Sequence, residues 1–396
     1  MISYPEALEL ILQNAKQIPE ELISLSQARG RVLTECIISD RDYPPFNRSA
    51  MDGFAIRTQD YIQNHEFVYE RELAAGKSIS LEPNENVIRI MTGAPVPSGL
   101  DAVIKIEDSH LIEMNGAKKV KFHPAEIKPW TNIAKQGEDV PKGTLVMDAG
   151  QSIFTSEISL LASLGISQMR VAKLPIINII STGNEVISLG EIPLPYQIRD
   201  SNSHTITSIL AKYNIAPFKT SLVQDDIELL TMKINVGLES DILILSGGVS
   251  MGTMDLVPSI LQKLDVKLIF HKTGIKPGKP IWFGKKNDTV VFGLPGNPFS
   301  VQTCARIFLE PFLRKISGQK QAPILKLPLS KTKTKKNSLT EFFPVKYEIN
   351  ETTYLTPVTF NGSGDIRAGL HSDGLGIFPD HKTTLNEGEI IQYLPW

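Results

Sequence analysis

The sequence predicts an α/β plus β multidomain protein, on three observations. Its 396 residues exceed what one hydrophobic core supports, so the chain should divide into roughly two to four domains. From 174 to 320, near-continuous apolar runs alternate with segments of helical spacing, as in a parallel sheet covered by helices on both faces. Residues 41–139 and 321–396 instead hold short β-type runs punctuated by Gly, Pro and Asn.

At the start, MISYPEALELILQNAK reads as an amphipathic helix: carboxylates interrupt its apolar positions and no basic leader precedes it, so it is not a signal peptide. A short strand-like ECIIS follows. NVIRIM (86–91) and DAVIKIED (101–108) are β-type runs of a separate β-rich region. SIFTSEISLLASLG (152–165) returns to helical spacing, with Ile158, Leu161 and Leu164 on one face and Gly165 as a stop, and is expected to pack with the N-terminal helix. The expected divisions are therefore 1–40 together with 140–173 as a helical linker domain, 41–139 as an inserted β-rich domain, 174–320 as an α/β domain and 321–396 as a C-terminal β domain.

Within the α/β domain, PIINII, DILILS and VVFG read as strands, and SNSHTITSILAKY carries Ile206, Ile209, Leu210 and Tyr213 at helical spacing. GLPGNPFSVQTCARIFLEPFL starts a helix with Asn297 as N-cap and Pro298 at the first helical position. EFFPVKYEI, TYLTPVTF and EIIQYLPW supply the C-terminal strands. The basic run SKTKTKKN (330–337) is expected as a solvated linker or hairpin, with an interaction tail as the alternative.

Charge and cysteine usage exclude several classes. Lys and Arg (41) nearly balance Asp and Glu (43), so no global field draws nucleic acid or anionic membrane. No apolar run approaches the roughly 20 residues a spanning helix needs. Cys36 and Cys304 lie far apart without metal-type spacing, which fits a cytoplasmic home. The seven histidines are scattered, and neither a hydrolase triad nor a histidine metal cage is supported.

Ligands of open α/β sheets bind beyond the carboxyl ends of the strands. There stand STGNE with Glu185, SGGVSMGTMD with Asp255, and LPGNP. One glycine-rich turn is often a plain connection; three in one domain point to an anion held by free backbone N–H groups. Neither GxGxxG after the first strand nor GxxxxGK[ST] is present. Glu185 and Asp255 would repel a phosphate unless a cation intervened, and Mg²⁺ fits that role. Asp225 is a third candidate ligand or else a helix N-cap. Lys272, Lys276 and Lys279, set among Gly and Pro, would converge on a polyanion, or form a solvated surface loop. In the β-rich region the loops PPFNRSAMDGFAI, with Asp52, and MTGAPVPSG, with Thr92, stand out; turn chemistry explains their Asp-Gly and Gly-Ala-Pro, but not the Arg-Ser-Ala-Met stretch before Asp52, which points to a functional loop.

PPFNRSAMDGFAI, MTGAPVPSGLDAVI, GEDV, STGNEV, SGGVSMGTMD, KPGKP and GLPGNPFS, in this order, resemble the molybdopterin molybdenumtransferase family (MoeA and the E domain of gephyrin) over the whole chain. The resemblance implies a three-layer αβα molybdopterin-binding domain, an inserted β-rich domain, a small β-barrel-like C-terminal domain and a homodimer. It implies transfer of molybdate into adenylylated molybdopterin with Mg²⁺-dependent release of AMP, with a non-catalytic pterin-binding scaffold as the alternative. Partners implied are molybdopterin adenylyltransferase and molybdoenzyme chaperones.

By the same resemblance, Glu185, Asp225 and Asp255 handle metal and nucleotide, and Lys272, Lys276 and Lys279 with Pro280 and Ser300 surround the oxyanion. Gly247, Gly248 and Ser250 hold the pterin phosphate. Asp52 and Thr92 reach the partner protomer's cleft. The chain departs from the family pattern at Ala134 and Leu339, where arginine is usual.

Overall fold

The computed structural model describes residues 1–82, 85–114, 116–123, 126–249, 256–349 and 353–396. They form two units, 1–35 with 149–396, and 36–148.

The run ILILS, 242–246, has no polar residue to offer water until its last position, so it must be covered on both faces. Strands Ile177–Thr182, Ile242–Ser246 and Thr289–Leu294 are buried along their whole length. They run parallel at the middle of a six-stranded sheet ordered Lys219–Val223, Ile177–Thr182, Ile242–Ser246, Thr289–Leu294, Trp282–Lys286, Lys267–His271. The strand period of two divides the side chains between two cores. Ile177, Ile179, Ile242 and Ile244 face Ile206, Leu210, Val301 and Phe308 in one. Ile180, Leu243 and Leu245 face Leu230, Ile234, Ile260 and Leu261 in the other. This is the three-layer αβα arrangement.

The last two strands of that sheet are antiparallel. Trp282–Lys286, between Thr289–Leu294 and the edge strand Lys267–His271, thus returns the end of the Lys-Gly-Pro segment, expected as loop, to the sheet. Its beginning goes elsewhere: Ile275–Lys276 pairs in parallel with Thr340–Ile349 of the C-terminal sheet. That sheet continues through Gly374–Phe378, Ile390–Pro395 and Leu325–Pro328 over a core of Phe343, Val345, Leu355, Phe378 and Tyr393.

The N-terminal helix Tyr4–Gln13 opens with a capping box, Ser3 and Glu6 exchanging side-chain to backbone hydrogen bonds of 3.4 and 2.8 Å. It buries Ala7 and Ile11 beside Phe308 and Phe312, and the Tyr4 ring meets Phe342 edge-on at 5.0 Å. Its packing partner is therefore the helix Glu310–Ile316. The helix Thr155–Ser163, expected to pair with it, lies against the 3₁₀ turn Leu25–Gln27 instead. What joins residues 1–35 to 149–173 is antiparallel pairing of Glu20–Ser24 with Gln168–Ala172. Gly165, at φ +73°, follows the helix as its stop.

The SKTKTKKN run is solvated only in part: Lys331, Thr332, Thr334 and Lys336 are exposed, whereas Lys333 and Lys335 are anchored. Lys335 is buried, its ammonium donating to the carbonyls of Leu339, Phe378 and Pro379, and burial holds its pKa below the ordinary lysine value. Lys333 forms a 3.2 Å ion pair with the buried Glu341.

Residues 36–148 form their own unit. Gly53–Ile56 is the third strand of a four-stranded sheet, between Val87–Ile90 and Ala102–Lys105. A Cβ on Gly53 would stand 1.9 Å from the Ile104 carbonyl oxygen, so only glycine fits that register. Phe54 packs edge-on against Tyr69 and Phe122 on one face, while Ala55, Ile88 and Val103 fill the other.

Ile244→Ala should lower unfolding free energy by about 2–5 kcal/mol in urea titration, because the cavity opens in the central strand. Ile176→Ala, at a side chain 51% exposed, should change it by about 0.5 kcal/mol or less.

Candidate functional site

The four parallel strands deliver the first residues that reach water to one edge of the sheet. After Thr182 come Gly183, Asn184 and Glu185; after Ser246, Gly247 and Gly248; after Leu294, Pro295, Gly296 and Asn297. Together with Asp200, Asn202 and Asp225 these turns enclose a cleft of about 360 Å³.

Gly247 and Gly248 take φ of +91° and +61°. A Cβ on Gly247 would lie 2.2 Å from the Thr182 carbonyl oxygen, and one on Gly248 3.1 Å from the Thr182 methyl. The glycines are required first by the neighbouring strand end and only then leave backbone open to a ligand. Ser250 and Asp255 lie outside the described residues.

Asp225 accepts a 2.6 Å hydrogen bond from the Thr182 hydroxyl, and its own N–H donates to the Asn184 side chain at 3.0 Å. The N-cap role falls to its neighbour: Asp226 accepts from Leu229 N–H at 2.8 Å and starts the helix Ile227–Gly237. Asp225 is thus left to line the cleft, with Glu185 exposed beside it. Two carboxylates in one cleft fit Mg²⁺, which takes one or two and completes its shell with water and phosphate oxygens. Among the described residues no group of three His, Cys, Asp or Glu forms a denser cage.

Two lining residues escaped sequence reasoning. Asp200, buried, accepts from the Ser181 and Ser203 hydroxyls and the Ser203 N–H, fixing the first turn of the helix Asn202–Ala211. Asn202 donates to the Ser246 hydroxyl at 3.0 Å and the Gly296 carbonyl at 2.7 Å, tying two of the glycine turns together. Its buried Oδ1 has no partner among the described residues. The signal was an Asp-Ser-Asn cluster opening a helix, which reads as a cap and nothing more.

A second compartment of about 440 Å³ adjoins the first, sharing Pro280, Pro295, Gly296 and Asn297 with it. Lys276, Lys279, Ser300, Leu339, Glu341 and Ser363 also line it. Asn297 holds the N-cap position of the helix Pro298–Cys304, but its side chain donates to the Ser363 hydroxyl at 2.8 Å rather than capping. The three ammonium groups do not converge: Lys272, at φ +68°, lines neither compartment, and its N–H is bound to the Ile281 carbonyl.

Glu341 explains how lysine is held here. Only 5% exposed, it lies 3.9 Å from the Lys276 ammonium and 3.2 Å from that of Lys333. Leu339, where the family pattern expects arginine, presents an apolar wall to the same space.

In the unit 36–148, Asp52 and Thr92 meet on adjacent exposed loops. The Asp52 carboxylate accepts the Thr92 N–H at 2.7 Å, and this bond, seconded by the Thr92 side chain, holds its pKa below the usual carboxylate range. Asp52 is therefore a fixed, ionised group on that unit's surface. Ala134 is registered against Arg48 in a two-stranded pair.

Three sequence families match in order: "MoeA N-terminal region (domain I and II)" over residues 2–165, "Probable molybdopterin binding domain" over 178–315, and "MoeA C-terminal region (domain IV)" over 326–396. Relatives described as molybdopterin molybdenumtransferase include one from Haemophilus influenzae, 32% identical with 95% of this chain and 94% of the relative covered. One from Synechocystis sp. is 31% identical over the full length of both. One from Staphylococcus epidermidis is 30% identical, with 99% of this chain and 95% of the relative covered. The crystal structure of a molybdopterin biosynthesis moeA protein from Pyrococcus horikoshii superposes with a TM-score of 0.83 at 29% identity, covering all of both chains.

Gly247→Ala should cost about 1–3 kcal/mol in denaturant unfolding, because the added methyl meets a carbonyl oxygen on a central strand. Gly248→Ala, facing only side-chain methyls that can shift, should cost less.

Proposed function

The chain belongs to the MoeA family of molybdopterin molybdenumtransferases, enzymes of molybdenum cofactor biosynthesis, and on that premise we propose that it inserts molybdate into adenylylated molybdopterin with Mg²⁺-dependent release of AMP. The observation that carries this reading is the adjoining pair of compartments, one walled by carboxylates and glycine turns, the other by lysines, with four residues in common. A reaction that joins an oxyanion to a phosphorylated pterin needs both kinds of surface within one cleft.

In this reading the glycine turns at Gly247 and Gly296 admit the pterin phosphate to backbone N–H groups. Glu185 and Asp225, with Asp255, would hold Mg²⁺, which when bound would supply positive charge to offset that of the phosphoanhydride. Thr182, through its bond to Asp225, fixes one carboxylate oxygen so that the other faces the cleft. Lys276 and Lys279 take the molybdate dianion beside Pro280 and Ser300, and Glu341 keeps the Lys276 ammonium over that compartment. Asp52 and Thr92 of one protomer complete the cleft of its partner in a homodimer; their fixed, exposed pairing supports that role. The unpaired Cys36 and Cys304 support a reducing, cytoplasmic setting.

A second reading, ligand binding without turnover, is favoured by one observation: Leu339 leaves the oxyanion compartment without the arginine usual in the family. AMP release separates the two. Purified protein given adenylylated molybdopterin, molybdate and Mg²⁺ should liberate AMP, and chelation of Mg²⁺ should stop it. Lys276→Ala should raise the molybdate concentration needed by about ten- to a hundredfold while leaving pterin affinity unchanged. Binding with no AMP release from the unsubstituted protein would overturn the enzymatic reading.

A further inference from the structure

A third cavity, of about 280 Å³, shares no lining residue with either compartment. It lies where the chain around Gly30–Val32, the segment Ala172–Pro175, the helix Glu310–Ile316 and the residues Pro395 and Trp396 meet. Its wall holds five basic side chains, Arg31, Lys173, Lys212, Arg306 and Arg314, and one acidic, Glu310.

The pairings do not balance them. Glu310, buried, accepts from the Tyr213 hydroxyl at 2.8 Å and stands 3.8 Å from both Lys212 and Arg306. Burial, then the Glu310 charge, pushes the Tyr213 phenol far above its ordinary pKa, so it remains a donor. Arg31 pairs with Glu21 and donates to the Ala172 carbonyl. Arg314 donates to the Lys320 carbonyl and lies over the Tyr213 ring, with no carboxylate within ion-pair distance among the described residues. Two side-chain carboxylates, Glu21 and Glu310, thus pair with Arg31, Lys212 and Arg306, leaving Lys173 and Arg314 without a carboxylate within ion-pair distance among the described residues.

Buried polar atoms point the same way. Arg31, 93% buried, keeps an Nε–H donor without a partner, as does Arg314; Gln319 Oε1, also unpartnered, is an acceptor. Buried donors without acceptors are rare, and water satisfies single atoms without offsetting net charge. Leu313, Pro175 and Trp396 add apolar surface to the lining.

We propose that this cavity binds a small phosphate monoester with a flat apolar body, its dianionic head at Arg314, Lys173 and Lys212 and its body against Leu313, Pro175 and Trp396. A dianion matches Arg314 and Lys173, the two cations without a carboxylate partner among the described residues, better than a single carboxylate does. Because the wall is assembled from segments distant in sequence, occupancy ties them together and stabilises the folded chain.

The test is thermal unfolding of the full-length protein with phenyl phosphate, inorganic phosphate, benzoate and the neutral benzyl alcohol as probes. Phenyl phosphate at ten times its Kd should raise Tm by about 2 °C, and the other three should need higher concentrations. The shift should vanish in Arg314→Gln and persist in Lys276→Ala, which alters only the oxyanion compartment. Should Arg314→Gln fail to fold, Lys173→Gln, at an exposed side chain, should weaken phenyl phosphate several-fold. No shift in the unsubstituted protein, equal shifts with all probes, persistence in both cavity variants, or loss in Lys276→Ala would each overturn the proposal.

Discussion

A parallel sheet buried on both faces can expose polar groups at its strand ends and nowhere else, and that constraint shapes the larger unit. Ile177–Thr182, Ile242–Ser246 and Thr289–Leu294 have no exposed side chain, so chemistry begins at the residue after each strand. The strand ends also crowd one another. Thr182 directs its carbonyl at Gly247 and its hydroxyl at Asp225, so one residue both demands a glycine and orients a carboxylate. Asn202 adds a second tie, from Ser246 to Gly296. The cleft is thus held open by strand-end contacts that exist without any ligand.

The lysine compartment depends on a different device, a buried carboxylate shared between two cations. Glu341 belongs to the C-terminal sheet, whereas Lys276 belongs to the segment that leaves the α/β sheet edge. Backbone pairing of Ile275–Lys276 with Thr340–Glu341 brings them together, and the ion pairs with Lys276 and Lys333 offset the desolvation of Glu341. An exposed ion pair would be worth little. Here Glu341 is buried, and although the Lys276 side chain is 57% exposed, its ammonium stands 3.9 Å from that carboxylate at the compartment. Two lysines of the basic run, Lys333 and Lys335, are thereby structural.

Periodicity made the secondary structure legible and left partners hidden. DILILS and VVFG could be read as buried strands because of their continuous apolar cores, 242–245 and 290–292, and the helices after 202 and 298 because of spacing and Pro298. The division of Ile177, Ile179 and Ile180 between two cores follows from the same period of two. What a helix packs against is not encoded in its own spacing, so the N-terminal helix was matched to residues 152–165 when its apolar face goes to Phe308 and Phe312. Lys335 escaped because a charge run reads as surface, and only the fold supplies three carbonyls to a buried ammonium. In the cleft, Glu185, Asp225 and the glycines announced themselves by standing after strands. Asp200 and Asn202 did not, since a cap and a ligand-facing amide look alike in sequence.

The central claim is that oxyanion and pterin phosphate occupy two compartments of one cleft. It is tested most directly by a crystal structure of the protein soaked with molybdate, located by the anomalous scattering of molybdenum. The account predicts the metal in the compartment lined by Lys276, Lys279 and Ser300, with the glycine turns at Gly247 and Gly296 still free. Molybdenum seated instead against Gly247 and Gly248, or bound at neither compartment at concentrations that saturate AMP release, would contradict it.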